Sequence, residues 1–239
     1  TPIYVEDFET PNPGWKVSGT NASWQRGVPA GPVINTAAGG QNAYVTNLTG
    51  SYNSSELSYL TSACMDFSAN PADPILSFSL WRRSEANFDV CWLESSIDNG
   101  VTWTKVLANP TFAPTNWYNN PNSRLGAAWD GNSGGWIAVE NVLDGLGGES
   151  QVKLRFVFAS DGSTNQDGIA IDNFGVRDPQ PIDAAVNAVL YPTSGQAPLC
   201  GFSTERVQIE YENKGTSAVD SLFFGYQVDG GPAITDTLV

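Results

Sequence analysis

The sequence predicts an all-β chain: a jelly-roll β-sandwich over residues 1–177, a proline-rich linker at 178–182, and the front part of a second β-sandwich over 183–239. Three observations lead there. Short runs such as Ala43-Tyr44-Val45-Thr46, Ile75-Leu76-Ser77-Phe78-Ser79-Leu80-Trp81 and Val152-Lys153-Leu154-Arg155-Phe156-Val157-Phe158 alternate apolar with polar or small residues, the period of half-buried strands. No stretch keeps apolar residues at helical spacing beyond a turn or two. Gly, Asn, Ser and Pro punctuate the runs, as turns between short strands require.

The first element is the acidic segment Glu6-Asp7-Phe8-Glu9-Thr10, and the last strand of the first domain is expected over residues 168–176. In a two-sheet sandwich with Greek-key connections the first and last strands usually pair, which brings carboxylates from both ends together. Such carboxylates call for a cation. Asp7 and Glu9, two residues apart, are expected on one strand face, with Asp172 arriving from the closing strand and Asn42 adding an amide or main-chain oxygen. Calcium takes six to eight oxygens of these kinds, so Asp7, Glu9, Asn42 and Asp172 form the candidate metal set. On spacing alone they read equally well as solvated strand-end carboxylates. A rival set, Asp161-x-Ser163-x-Asn165-x-Asp167, has Gln166 where a calcium loop needs glycine and reads better as a hairpin loop.

Between these ends, Ser96-Ile97-Asp98-Asn99-Gly100-Val101-Thr102-Trp103 fits the Asp-box pattern Ser-x-Asp-x-Gly-x-Thr-Trp. It predicts a tight hairpin: Asp98 accepts from the turn's own amides, Gly100 supplies a positive φ, and Trp103 folds back over the turn. Trp81, Trp92 and Trp103 alternate within strands and are expected in the core. Trp117, Tyr118 and Trp129 lie in Asn-, Pro- and Gly-rich segments, where aromatic rings beside Asn and Asp suit stacking on sugars. They are the candidate ligand-binding residues. The competing reading makes this segment a lid that buries its own rings.

Arg177-Asp178-Pro179-Gln180-Pro181 places two prolines within three residues and marks the domain boundary. Strands are expected beyond it at 185–191, 205–213 and 221–228, with a turn at Asn213-Lys214-Gly215. This unit has about 60 residues where an immunoglobulin-like sandwich takes about 100, so the chain is expected to be a piece of a longer protein.

Composition narrows the chemistry. With 25 acidic against 11 basic residues and a net charge of −14, no basic stripe is present to displace counterions from nucleic acid. Histidine is absent, which removes Ser-His-Asp and Cys-His nucleophiles and every His-containing metal site. Carboxylate-only chemistry survives, but Glu56, Glu85, Glu94 and Glu140 show no paired motif. Cys64 and Cys91 are either bridged or two buried thiols, and Cys200 lies in the second unit. The sequons at Asn21, Asn47 and Asn53 read as surface loops. No apolar run approaches the ~20 residues of a membrane span, and the first residues carry no signal-peptide pattern.

Taken in order, Glu6-Asp7-Phe8-Glu9, residues 41–48, Tyr59-Leu60-Thr61-Ser62, the Asp-box, Gly135-Trp136, residues 156–162 and residues 168–173 make residues 3–177 resemble MAM-type jelly rolls. The bacterial branch is the nearer, with the cleaved-adhesin modules of secreted proteases and the Asp-box-bearing jelly rolls of reelin repeats. The resemblance implies a non-catalytic adhesion or ligand-binding module with a structural calcium near its first and last strands, to which Asp7, Glu9 and Asp172 correspond by position. Residues 183–239 resemble the bacterial cell-adhesion-related immunoglobulin-like repeats of surface proteins exported by type IX secretion and used in gliding.

The expected function is therefore that of a non-enzymatic, secreted or cell-surface segment. Its expected partners are an extracellular glycan or protein surface and further domains of the same polypeptide. The alternative is an accessory, substrate-targeting domain of a secreted protease or polysaccharide-degrading enzyme.

Overall fold

In the computed structural model, described over residues 2–11, 13–179, 184–191, 208–213, 215, 217, 219–227 and 232–238, every regular element is a strand. No helix among the described residues is long and apolar enough to cross a membrane. The chain divides into two compact units, Thr1–Asp178 and Pro179–Val239.

The first unit opens with β1 (Pro2–Glu6), β2 (Lys16–Thr20), β3 (Trp24–Gly27), β4 (Ala43–Thr46), β5 (Leu57–Thr61) and β6 (Ile75–Arg83). It continues with β7 (Val90–Ser96), β8 (Thr104–Lys105), β9 (Asn120–Ser123), β10 (Gly126–Ala128), β11 (Ile137–Val142), β12 (Lys153–Ala159) and β13 (Gly168–Arg177). One sheet runs β11-β6-β13-β4-β3, with β1 also paired to β13; the other runs β2-β5-β12-β7-β8, and β9 and β10 form a small hairpin. All pairs are antiparallel. The expected pairing of first and last strands is present, with Glu6 opposite Phe174 and Val5 opposite Gly175.

The core between the sheets is aromatic: Trp15, Phe78, Trp129, Phe156 and Phe174 belong to one buried cluster. Their rings meet mostly edge to face, as Phe78 does with Phe156 at 5.0 Å between centroids. A register break in β13 between Asp172 and Gly175, with Asn173 at φ 48°, lets Ile171 and Phe174 both point inward although strict alternation would separate them. Asp172 consequently points to the outer face with Ala170. There the loop 28–42 lies over a second cluster of Ile34, Ala43, Val45 and Ala170, with Trp81 and Trp136 packed against it.

Two expectations fail here. Trp81, Trp92 and Trp103 are not core residues: Leu80 and Leu93 are the fully buried neighbours in β6 and β7, so alternation turns Trp81 and Trp92 to the outer faces. Asp7 and Glu9 do not share a strand face either, because β1 ends at Glu6. Glu6 accepts from the Phe8 amide at 2.8 Å and Asp7 from the Glu9 amide at 3.0 Å, and with Phe8 at φ 57° these turns end the strand.

The second unit contains β14 (Ala184–Tyr191) paired with β15 (Gln208–Asn213), and β16 (Leu222–Tyr226) paired with β17 (Ile234–Leu238), both antiparallel. The strand β17 was not expected from the sequence. The linker residues 180–182, Cys200 and Lys214 lie outside the described residues, as do the start of the expected strand 205–213 and Val228.

Candidate functional site

Three carboxylates fasten the loop 28–42 to the sandwich, each by holding two neighbouring amides. Asp167 Oδ2 accepts from Val33 and Ile34 at 2.7 and 2.8 Å. Asp172 Oδ2 accepts from Ala38 and Gly39 at 2.8 and 3.0 Å, and its Oδ1 accepts from Asn173 at 2.7 Å. Glu9 Oε1 accepts from Gln41 and Asn42, both at 2.7 Å, while Oε2 takes the Asn42 side-chain amide at 2.7 Å. Convergent N–H groups stabilise an anion as a cation would, only more weakly per contact.

Glu9, Asn42 and Asp172, three of the four residues expected to hold calcium, thus meet at residues 38–42. Asp7 stays apart, in its own turn, and with Glu6 and Asn173 lines a separate hollow. The acids Asp7, Glu9 and Asp172 do not bring their oxygens within 4.8 Å of one another. Burial raises the Asp172 carboxyl above its ordinary pKa, and Glu9 adds to the rise. The Asn42 and Gln41 amides lower that of Glu9.

Among the described residues the acids that do cluster are Glu85, Asp89 and Asp161, with oxygens within 4.8 Å. Asp89 is fully buried and accepts from the Tyr52 hydroxyl at 2.5 Å and the Asp161 amide at 2.7 Å. Burial raises both Asp89 and Tyr52. The rival chelating loop does not form, since its members face different ways: Asp161 caps the Ser163 amide, Asn165 donates to Tyr52 O, and Asp167 holds the loop amides. The other acids weighed for catalysis are engaged too. Glu56 holds Ser23, Glu94 pairs with Arg155, and Glu140 lies 3.6 Å from Arg177.

The candidate ligand-binding aromatics are core residues. Trp129 is 0% exposed and Trp117 8%, and Tyr118 packs against the same cluster. Trp129 donates to Asn116 O at 3.0 Å and Tyr118 to Val106 O at 2.8 Å, so their polar ends are satisfied from within. The lid reading describes this segment, because a ring buried between sheet and loop offers no face to a sugar.

A concave surface exists elsewhere, on the outer face of the five-stranded sheet. Antiparallel register aligns Lys16, Thr61, Arg155, Glu94 and Lys105 in one rung across β2, β5, β12, β7 and β8. Directly opposed residues share a face, so the rung points outward together with Tyr59, Trp92 and Lys153. The groove encloses about 490 Å³, and Lys16, Ser18, Thr61, Trp103, Lys153 and Arg155 contribute to its lining.

Arg155 is its fixed centre. The guanidinium lies between two rings, 4.2 Å from the Tyr59 centroid and 4.1 Å from that of Trp103. Its Nε and Nη2 reach Glu94 Oε2 at 2.7 and 2.6 Å, and Trp92 donates to Glu94 Oε1 at 2.8 Å. Trp103 is placed by the turn before it: Asp98 accepts from Val101 and Thr102 amides at 2.9 Å, and Trp103 Nε1 donates to Gly100 O at 3.1 Å. Lys16 makes no ion pair or side-chain hydrogen bond among the described residues, and Lys153 donates only to Asn99 O, at 3.1 Å. Sequence reasoning missed this site. The signal was the alternation Lys153-x-Arg155 within a predicted strand, which puts both cations on the face opposite Leu154 and Phe156.

No protein-family model matches the chain. Bacillopeptidase F of Bacillus subtilis (strain 168) is 29% identical over 177 residues, 73% of this chain and 11% of that protein. The chain thus spans about a ninth of the length of this relative. Among solved structures, the K1 cleaved adhesin domain of Lys-gingipain from Porphyromonas gingivalis W83 superposes with a TM-score of 0.43 at 15% identity, over 73% of this chain and 97% of that one. The carbohydrate-binding module TmCBM61, solved with beta-1,4-galactotriose, gives 0.41 at 15% over 70% and 96%. The CBM22-1 xylan-binding domain from Paenibacillus barcinonensis Xyn10C gives 0.42 at 12% over 74% and 94%.

Proposed function

We propose that residues 2–178 are a non-catalytic ligand-binding module of a larger extracellular protein, and that the groove on the five-stranded sheet is its binding surface for an extracellular glycan. The groove carries the proposal. Its volume falls within the range of ligand sites, and its lining combines hydroxyls, cations and an aromatic edge that the Asp98 turn and Glu94 hold in place before any ligand arrives. Catalysis is set aside because histidine is absent and none of the acids weighed, Glu56, Glu85, Glu94 and Glu140, lines the groove.

The test is a polysaccharide binding panel with product analysis. Thr61→Trp places a ring in the middle of the groove without touching the core and is expected to abolish binding; polymer length is expected to stay unchanged. Binding that survives this substitution, or turnover of any polymer, overturns the proposal.

The second reading, an accessory module of a secreted peptidase, rests on the 29% identity to Bacillopeptidase F. It is favoured if the groove binds a protein substrate and no glycan. Structural calcium at Glu9, Asn42 and Asp172 is proposed from position alone, since both carboxylates already accept from loop amides and Asn42 donates its amide to Glu9, and six to eight oxygens would need loop carbonyls as well. An unchanged melting temperature in chelator, with no metal retained on dialysis, removes it. Residues 183–239 are proposed as a spacer of immunoglobulin-like type.

A further inference from the structure

We infer that the groove selects an acidic, uronate-bearing polysaccharide over a neutral one; this rests on the groove being a glycan site. Four of the chain's 11 cationic residues, Lys16, Lys105, Lys153 and Arg155, lie on one sheet face of a protein with net charge −14. Among the strand residues of that face Glu94 is the single acid, and Arg155 and Trp92 already engage it. Arg155 is packed against the Tyr59 and Trp103 rings and its Nε–Nη2 edge is held by Glu94, so it fixes local charge. Lys105 is tucked inward: it donates to Ala127 O at 2.7 Å and stands 4.8 Å over the Trp92 ring. None of the three lysines makes an ion pair among the described residues, and Lys16 and Lys153 are the two that line the groove.

Their placement suits a polymer with regularly repeated carboxylates. Lys16 and Arg155 are separated by two inter-strand steps, roughly 9–10 Å, and Lys153 and Arg155 by two residues of strand, roughly 7 Å. Each lysine can make a charge-assisted bond to a carboxylate while Thr61 and Ser18 meet hydroxyls. A polar, hydroxyl-lined floor fits a sugar chain better than a peptide, which would need pockets for alternate side chains. The acidic remainder of the molecule repels a polyanion, so binding is confined to this face.

The test uses the whole 239-residue chain and polygalacturonate, compared with its methyl-esterified form, which keeps the backbone and loses the charge. Affinity electrophoresis or calorimetry is expected to show binding of the acid form that weakens with salt. It is also expected to fall about tenfold in the double variant Lys16→Gln, Lys153→Gln, about 1.4 kcal/mol. Melting temperature controls for folding, since neither lysine supports the core.

Equal binding of the esterified polymer overturns acidic selectivity and leaves the glycan site standing. Stronger binding of polyglutamate than of polygalacturonate overturns the inference in favour of an acidic peptide. Failure of every polymer, acidic or neutral, with no effect of Thr61→Trp, brings down the groove reading and this inference with it.

Discussion

Replacing Asp172 by alanine tests whether the terminal-strand carboxylates act as fasteners for the loop 28–42. The carboxylate is 0% exposed and accepts from three backbone amides, Ala38, Gly39 and Asn173. Each buried donor left without an acceptor costs roughly 1–3 kcal/mol. Gly39 is only part-buried and Ala38 and Asn173 are exposed, so water recovers some of that, and relief of carboxylate burial beside Glu9 offsets more. A net loss of about 2–3 kcal/mol is expected, which for a unit of this size lowers melting by roughly 5–10 °C. Asp172→Asn keeps one oxygen for the Ala38 and Gly39 pair but turns an NH2 toward the Asn173 amide, so an intermediate loss is expected. Tryptophan fluorescence is the suitable probe because all eight tryptophans lie before residue 137 and report on the first unit alone. Hydrogen exchange should locate the change at residues 38 and 39. An alanine variant that melts with the wild type and protects those amides equally refutes the reasoning.

Trp129→Ala, which empties a fully buried ring site against Phe78, Trp117 and Tyr118, is expected to cost about 3–5 kcal/mol and to act through folding; a variant of native stability that fails only in sugar binding would restore the lectin-loop reading. The Ser96 and Thr102 hydroxyls and the Thr102 amide hold Asp98 well below the usual carboxylate pKa, so its contribution to the turn is present above about pH 4 and is lost as pH falls through the folded-state value. Amide protection at Val101 and Thr102, corrected for the intrinsic exchange rate, should fall in acid, and Asp98→Asn should lose that pH dependence; protection that stays constant across the range contradicts it. Iodoacetamide on the folded chain is expected to label exposed Cys64 and to spare Cys91, whose buried thiol is pushed up in pKa and reacts only after denaturation. Peptide mapping that finds Cys91 modified in the native state, or the two joined, counts against that placement.

The all-β class was legible because alternation in β6 and β12 is a property of the chain itself: residues two apart share a face whatever they later pack against. The hydrogen bonds of the Asp98 turn were equally local. Reading failed where the partner lay far along the chain. Whether Trp81 or Leu80 faces the core depends on which side of β6 the second sheet covers, and periodicity alone does not choose a side. Trp129 was offered to a ligand because its Gly- and Asn-rich surroundings look exposed; the sheet that buries it is supplied by Phe78, about fifty residues earlier.

What the sequence determined by itself was the strand period, the turn chemistry and the exclusion of histidine-dependent catalysis, since each follows from local conformational preference or composition; the meeting of the first and last strands followed from the two-sheet topology that the strand pattern implied. Only the tertiary structure decided that Glu9 and Asp172 face amides of a loop some thirty to more than a hundred residues away, and that Lys16, Arg155 and Lys105 fall into one rung. Antiparallel register brings together residues from five separate strands, and register is set by the packing of the whole sandwich rather than by any one of its segments.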